Sequence, residues 1–211
     1  MLTAIIDYES GNLHSAEKAF QRMAEETGAG QVVVTDDPDV VAKADHLVLP
    51  GDGAFPACAA ALRASGCFDA MVEAVEHKGR PFLGICVGMQ LMARKGHEYN
   101  ETDGLGWVDG EVRKIAPADP TFKVPHMGWN DLVIDTPHPV LEGLSNGDHV
   151  YFVHSYQMQM SDLGQRLAHV DYAGDVTGIV GTDNRIGFQF HPEKSADIGL
   201  RLIANFLQWR P

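Results

Sequence analysis

Apolar runs and helical patterns alternate along the first half of the chain. Continuous apolar runs, which predict buried strands, lie at Leu2–Asp7, Val32–Val34, His46–Leu49 and Phe82–Ile85. Segments with apolar residues at helical spacing, or rich in alanine, predict helices over residues 12–26, 56–77 and Cys86–Arg94. Apolar strands that alternate with helices are typical of a parallel sheet covered on both faces.

The second half of the chain has a different pattern. Strand candidates follow one another, with turn-forming residues between them, at Glu111–Ile115, Asp131–Ile134, His149–Met158, Arg166–Val170, Thr177–Gly181 and Arg185–Phe190. The last helix is predicted over Ser195–Gln208, with Ser195 as a candidate N-cap. We therefore expect a three-layer α/β fold. It has a mainly parallel central sheet, helices on both faces and added antiparallel strands.

Composition narrows the class of protein. The 211 residues are 45% hydrophobic, enough for one core, so we expect a single domain over residues 1–211. A formal charge of −13 without a basic run argues against nucleic-acid binding. No apolar run reaches membrane-spanning length and the N-terminus lacks a basic leader, so we expect a soluble cytoplasmic protein with no membrane partner. Three cysteines are too few for a disulfide scaffold.

The strongest candidate for chemistry is Gly84-Ile-Cys-Val-Gly88, between a predicted strand and a predicted helix. It has the form of a nucleophile elbow with cysteine in place of serine. Such a turn lifts Cys86 to the carboxyl end of the sheet, where α/β proteins bind ligands, and a helix start favours negative charge there. The Val87 N–H is placed to donate to an oxyanion. Cys58 and Cys67 are better explained as small buried side chains.

A cysteine nucleophile needs a base, and the base needs a group that orients it. An apolar strand is predicted to end in His191-Pro-Glu193, and residues two apart on a strand project to the same side. His191 and Glu193 can therefore pair, although alone the segment fits a plain turn equally well. With Cys86 they complete a Cys–His–Glu triad. Glycines in Pro50-Gly-Asp-Gly53 let the backbone approach a ligand, but this motif is weak by itself.

The sequence gives no support for a metal or a nucleotide. Four histidines, His138, His149, His154 and His169, lack the close spacing of zinc ligands. No GxGxxG or Walker-type loop is present. We expect no metal and no cofactor.

Together these segments resemble the class I glutamine amidotransferases. The hallmarks of that family are a Pro-Gly-x-Gly loop, a Gly-x-Cys-x-Gly elbow and a His-Pro-Glu near the C-terminus, which occur here in the same order over the whole chain. Four segments are similar to the glutaminase subunits of imidazole glycerol phosphate synthase, an enzyme of histidine biosynthesis: Phe82–Leu91, Lys123–Asn130, Tyr151–Tyr156 and Phe188–Ser195. Within the second of these, Pro-His-Met-Gly-Trp-Asn is the most specific motif.

The resemblance implies the catalytic roles. Cys86 attacks the glutamine carboxamide and forms a γ-glutamyl thioester. His191 takes the thiol proton and later gives one to the departing ammonia, and Glu193 orients His191. The backbone groups that would hold the oxyanion belong to Val87, Gly51, Asp52 and Gly53.

The resemblance also implies the substrate and the partner. The family positions that bind L-glutamine are matched here by Gln90, Glu98, Ser155 and Tyr156. The Glu98 carboxylate is suited to the α-amino group of glutamine. Ammonia would pass to a separate (β/α)8-barrel cyclase subunit. That subunit converts N′-phosphoribulosyl-formimino-AICAR-phosphate into imidazole glycerol phosphate and AICAR. Interface positions are Asn12, Trp129, Tyr151 and Lys194. From residue type alone, Trp129 and Tyr151 would be core residues and Lys194 a solvated charge.

Two positions depart from the family pattern. Asp52 stands where the loop usually has valine. A carboxylate facing an oxyanion would oppose catalysis, so we expect its side chain to point away as a surface group or loop anchor. Glu9-Ser10 stands where the family frequently has glycine and a variable residue. We expect this departure to change a contact with the partner and not the glutaminase chemistry.

Other functions stay open from the sequence. A class I subunit that feeds chorismate, GMP or pyridoxal phosphate synthesis would have the same triad, and only the segments 123–130 and 151–156 argue against it. A free-standing cysteine hydrolase would need no partner. A binding module would not need all three triad residues. Ammonia made without an acceptor is wasted, so we expect a nearly inactive free subunit, with a peptide flip at residues 51–53 as the switch.

Overall fold

Strands make up the larger part of the regular structure. The computed structural model describes residues 1–9, 11 and 13–211. The first strands are β1 (Leu2–Ile6), β2 (Gln31–Thr35), β3 (His46–Gly51) and β4 (Phe82–Cys86). The later strands are β5 (Ala93–Gly96), β6 (Thr102–Asp103), β7 (Val108–Lys114), β8 (His126–Asp131), β9 (Val133–Ile134), β10 (His149–His154), β11 (Tyr156–Met160), β12 (Arg166–Asp171), β13 (Asp175–Thr182) and β14 (Arg185–Phe188).

The helices lie mainly in the first half and at the end of the chain. They are α1 (His14–Thr27), α2 (Pro38–Lys43), α3 (Phe55–Ala64), α4 (Phe68–Val72), α5 (Val87–Gln90) and α6 (Ala196–Gln208). A π-helical turn, Glu73–His77, continues α4, and 3₁₀ turns lie at Pro139–Leu141, Leu163–Gln165 and Pro192–Lys194. Among the described residues, no helix is long and apolar enough to span a bilayer.

The central sheet has the order β2-β1-β3-β4-β14-β13-β12-β9. Its first five strands are parallel, and its last three are joined antiparallel. Every residue of β3 and β4 is buried, which explains their unbroken apolar character. One group of helices pairs α1 with α6, and another joins α2, α3 and α4. The expected three-layer α/β fold, mainly parallel with added antiparallel strands, is confirmed.

Two smaller sheets carry the remaining strands. One pairs β10 with β8, and the other has the order β11-β7-β5-β6. The prediction of one strand over His149–Met158 was wrong, because the chain breaks at Ser155 and enters a different sheet on each side. Ser155 therefore lies at the junction of the two small sheets.

Two predicted helices were too long. The segment 56–77 breaks at Ser65, whose hydroxyl donates to the Leu62 carbonyl and accepts from the Cys67 N–H, and Gly66 follows at a φ of 78°. The helix predicted over Cys86–Arg94 ends at Gln90. The carbonyls of residues 91–94 accept hydrogen bonds from residues 104–108, and Ala93–Gly96 is strand β5. Tertiary pairing thus outweighs the good helix propensity of this segment.

Ser195 has a different role from the one predicted. Helix α6 begins at Ala196, and the Ser195 hydroxyl does not cap it. That hydroxyl donates to the His191 carbonyl at 2.6 Å and accepts from the Tyr151 N–H at 3.0 Å. Ser195 is the N-cap residue of α6 by position, as predicted, but its hydroxyl ties the turn at 191–195 to strand β10 and does not cap the helix.

The carboxyl ends of three adjacent parallel strands meet at one edge of the central sheet. Gly51 at the end of β3 pairs with Cys86 at the end of β4. Strand β14 lies on the other side of β4 and leads into His191. Strand order alone therefore brings the loop at 51–53, Cys86 and His191 together, although they are far apart in sequence.

Candidate active site

Cys86 occupies a tight turn between β4 and α5. Its φ of 54° and ψ of −112° are strained for a side chain with a Cβ, as in a nucleophile elbow. The flanking glycines allow the chain to pack this closely. A Cβ at Gly84 would lie 2.5 Å from the Gly88 carbonyl oxygen, and a Cβ at Gly88 would lie 1.8 Å from the Leu49 carbonyl oxygen.

His191 and Glu193 form the predicted pair. The Nδ1 of His191 lies 2.8 Å from Oε1 of Glu193, and both side chains are nearly buried. Nδ1 carries the proton, because a carboxylate only accepts, and this leaves Nε2 for Cys86. The reasoning from strand alternation was wrong, because β14 ends at Phe188 and a 3₁₀ turn, Pro192–Lys194, brings the two side chains together.

The environment of His191 favours its protonated form. Burial alone would lower its pKa, but hydrogen bonds and charge attraction that involve Cys86 and Glu193 outweigh burial and raise the pKa to about 9. Helix α5 has only four residues and contributes little dipole. The charge that faces the Cys86 sulfur is therefore the His191 imidazolium.

A cavity of about 290 Å³ opens in front of Cys86. The residues predicted to bind substrate or oxyanion that line it are Val87, Gln90, Glu98, Ser155, Tyr156, Asp52 and Gly53. Gly51 lies outside this cavity and lines a smaller one of about 100 Å³ with His191, Glu193 and Lys194. The triad thus lies between two adjoining cavities.

Gln90 and Glu98 are held by the protein itself. Both bonds of the Gln90 amide nitrogen are used, to the Tyr156 carbonyl at 3.0 Å and to Oε1 of Gln189 at 3.1 Å, so its Oε1 is the atom available to a ligand. Oε2 of Glu98 accepts from the Phe55 N–H at 2.7 Å, at the start of α3. One carboxylate oxygen of Glu98 therefore anchors α3, and the other is left for the cavity.

The loop after β3 has a defined orientation. Gly53 has a φ of 131°, a value that favours glycine. The Cys58 thiol lies 3.9 Å from the Asp52 carbonyl oxygen, so the Asp52 carbonyl points towards Cys58 and the Gly53 N–H points the opposite way. The Asp52 side chain is exposed and lies against Gly11. It is a surface group, as expected for a carboxylate in this loop.

The predicted interface residues differ in how they are placed. Trp129 on β8 and Tyr151 on β10 are cross-strand partners with ring centroids 5.9 Å apart. Trp129 is 52% exposed, so its interpretation as a core residue was wrong, and Met127 on the same face is 62% exposed. Lys194 is exposed next to the triad. Asn12 lies outside the described residues.

Comparisons with known proteins agree with this geometry. The sequence model of the family described as Glutamine amidotransferase class-I matches residues 4–209. The chain belongs to the class I glutamine amidotransferase family. It is 71% identical to a Ruegeria pomeroyi protein and 65% identical to a Cereibacter sphaeroides protein, both named Imidazole glycerol phosphate synthase subunit HisH, over all of each chain. A solved structure described as a glutamine amidotransferase superposes with a TM-score of 0.73 at 20% identity, over 98% of this chain and 99% of that chain.

Three residues around this amidotransferase site were missed as site residues from the sequence. Gln189 is fully buried, and its amide nitrogen lies 3.9 Å from the Cys86 sulfur. His154 lines the cavity and bonds to His126 across the pair of strands β8 and β10. A polar residue inside the apolar run at 186–190 was the available signal for Gln189.

The two buried histidines make the folded amidotransferase sensitive to acid. Burial lowers the pKa of His126 to about 4 and of His154 to about 3, whereas an unfolded histidine titrates near 6.5. As the pH falls below about 6.5, these two histidines become protonated in the unfolded chain but stay neutral in the folded chain. Stability is therefore lost on acidification, by up to about 1.4 kcal/mol per pH unit for each histidine.

The variant His126→Phe tests this expectation. Urea unfolding at pH 7.5, 6 and 5 should show a shallower fall of the unfolding free energy in the variant than in the wild type. His46, whose pKa burial also lowers to about 4, stays in both proteins and cancels in the comparison. Equal slopes would contradict the neutral state of His126.

Proposed function

We propose that this chain is the glutaminase subunit of imidazole glycerol phosphate synthase in histidine biosynthesis. The observation that carries the proposal is the placing of Cys86, His191 and Glu193 between the two adjoining cavities. Full-length identity of 71% to a protein named as that subunit supports the choice of pathway. We also propose that residues 1–211 act as one domain, because one buried cluster runs from Ala4 to Trp209. We also propose a cytoplasmic location, because the free thiols of Cys58, Cys67 and Cys86 are compatible with a reducing compartment.

The first half of the proposed reaction releases ammonia. The Cys86 thiolate attacks the carboxamide carbon of glutamine, and the carbonyl electron pair moves to oxygen. The Val87 N–H and the backbone of the loop at 51–53 hold this oxyanion. The C–N bond then breaks while the His191 imidazolium gives its proton to the departing nitrogen. Ammonia leaves, and the γ-glutamyl group stays on Cys86 as a thioester.

The second half regenerates the site. Neutral His191 takes a proton from a water molecule, and the hydroxide attacks the thioester carbon. The C–S bond breaks, the Cys86 thiolate re-forms beside the His191 imidazolium, and glutamate leaves. Glu193 keeps the proton of His191 on Nδ1 throughout, so that Nε2 does the proton transfers.

The proposed partner is the (β/α)8-barrel cyclase subunit. Support comes from the outward face of strands β8 and β10, where Met127 and Trp129 are exposed and Tyr151 is half-buried, and from exposed Lys194 beside the smaller cavity. Tryptophan and tyrosine are frequent centres of binding energy in protein interfaces. The Tyr151 carbonyl accepts from the His191 N–H at 3.1 Å, and Lys194 lines the smaller cavity with His191, so both the face and Lys194 adjoin the triad.

Trp129→Ala is expected to weaken the complex. Removal of a central aromatic side chain should raise the dissociation constant for the cyclase at least ~10-fold, measured by titration calorimetry. The matched control is Leu163→Ala, which removes another exposed apolar side chain on the turn between β11 and β12. If both variants bind the cyclase like the wild type, the β8–β10 face is not the interface.

Glutamate release tests the function as a whole. It is measured for the chain alone, with the cyclase, and with the cyclase plus its substrate. We expect a rise of ~10² or more in the last condition alone, the size of effect that one oxyanion donor has on the rate. High activity of the chain alone would favour a free-standing hydrolase. Activation by a different synthase would favour another class I subunit.

A further inference from the structure

A chain of hydrogen bonds runs from strand β8 to the wall of the large cavity. The amide nitrogen of Asn130 lies 3.2 Å from Nε2 of His126, and Nδ1 of His126 lies 2.9 Å from Nε2 of His154. Nδ1 of His154 then lies 2.9 Å from the carbonyl oxygen of Tyr156. Four residues that are dispersed in sequence thus form one continuous path.

The groups at the two ends of this path determine which atom donates and which accepts in each hydrogen bond. A carbonyl oxygen only accepts, so His154 carries its proton on Nδ1 and its Nε2 accepts from the Nδ1–H of His126. Nε2 of His126 then accepts from the Asn130 amide. That amide cannot be flipped, because its oxygen accepts from the Asp131 N–H and its nitrogen donates to the Asp171 carbonyl.

The path ends on an atom that shapes the cavity. The Tyr156 carbonyl also accepts from the amide nitrogen of Gln90 at 3.0 Å. One oxygen therefore joins the His154 ring to Gln90, and Ser155 and Tyr156 line the cavity between them. A shift of this carbonyl would move both the wall at 155–156 and the Gln90 side chain.

Packing alone does not require polar groups at these positions. His126 and His154 are only 2% and 6% exposed. His126 lies between two rings, with centroids 4.6 Å from Phe152 and 4.1 Å from Tyr172, a place that phenylalanine would also fill. Buried polar pairs cost desolvation and are useful mainly where they fix one arrangement.

We propose that His126 and Asn130 are positioning residues that hold the glutamine-binding wall at Ser155–Tyr156 through His154. The inference rests on the proposed function, since it takes glutamine as the ligand of this cavity. Strand β8 then has two roles, because its outward residues Met127 and Trp129 form the proposed interface while its inward residues set the wall.

Two substitutions separate positioning from packing. His126→Phe keeps a stacked ring but removes the donor to His154, whereas His126→Asn loses the ring but keeps a donor near the position of Nδ1. If His126 only packs, Asn is the more harmful change. If His126 positions the wall, Phe is the more harmful change for glutamine binding, whatever the two changes do to the melting temperature.

The measurement is glutamate release by the complex with the cyclase and its substrate. We expect His126→Phe to raise the glutamine KM ~10-fold with kcat within ~3-fold, and His126→Asn to keep KM within ~3-fold. Phe152→Leu, which disturbs the same stack without removing a hydrogen bond of the path, is the matched control and should leave KM unchanged.

Thiol labelling gives an independent readout. His126→Phe should slow the labelling of Cys86 by a glutamine-shaped electrophile, 6-diazo-5-oxo-L-norleucine, and leave labelling by iodoacetamide unchanged. An unchanged KM and unchanged labelling in His126→Phe, with an active wild type, would overturn this inference alone. A wild-type complex that releases no glutamate would overturn the proposed function and this inference with it.

Discussion

Cys86→Ala will abolish glutamine-dependent formation of imidazole glycerol phosphate while ammonium-dependent formation by the same complex continues. In the proposed mechanism the Cys86 sulfur forms the thioester, so we expect the glutamine-dependent kcat to fall by ~10⁴ or more. In the proposed complex the cyclase reaction needs ammonia and not this thiol, so free ammonium should still serve as substrate.

The control for Cys86→Ala is Cys67→Ala. Cys67 is a buried residue whose thiol donates a hydrogen bond to the Asp36 carbonyl, away from both cavities. This variant should keep glutamine-dependent turnover within a few-fold of the wild type. If Cys86→Ala hydrolyses glutamine at the wild-type rate, another group is the nucleophile. If Cys86→Ala loses both the glutamine-dependent and the ammonium-dependent activity, the substitution has damaged the complex.

Gly88→Ala is expected to have the second largest effect, on folding. A Cβ at this position would lie 1.8 Å from the Leu49 carbonyl oxygen, far inside van der Waals contact. The obstacle is the backbone of β3, which no side-chain rotation can relieve. Either β3 or the elbow must move, and we expect a loss of more than about 3 kcal/mol in the unfolding free energy.

Urea unfolding of Gly88→Ala and Gly178→Ala compares this effect with that of an ordinary glycine. A Cβ at Gly178 would meet its nearest atom, Cδ2 of Leu132, at 3.4 Å, which is ordinary contact. Gly178→Ala should therefore change stability by less than about 1 kcal/mol. If Gly88→Ala is as stable as the wild type, the close approach of the elbow to β3 is not needed by the fold.

The central sheet was predictable because its signal is local. Strands β1 to β4 are continuous apolar runs, and the elbow lies between a strand and a helix where the motif places it. Strand β8 was missed because its burial alternates and glycine and asparagine interrupt it. The first residues of strand β5 were predicted as helix because pairing with β7 and β6 determines the conformation of this strand.

The site was predictable from its motifs but not from its geometry. Cys86, His191 and Glu193 are each marked by a motif, and the fold brings them to one edge of the sheet. The pairing of His126 with His154 could not be predicted, because it depends on the register of β8 against β10, which the sequence does not reveal. The hydrogen bond from the Tyr151 N–H to the Ser195 hydroxyl could not be predicted for the same reason, because Tyr151 lies on a strand that is distant in sequence.

Transfer of the amide nitrogen tests the account most directly. The complex of this chain with the cyclase is supplied with amide-¹⁵N glutamine in the presence of excess unlabelled ammonium, and the product is analysed by mass spectrometry. If ammonia passes directly from this chain to the cyclase, imidazole glycerol phosphate carries the ¹⁵N label in spite of the unlabelled pool. A product whose isotope content follows the ammonium in solution would contradict it.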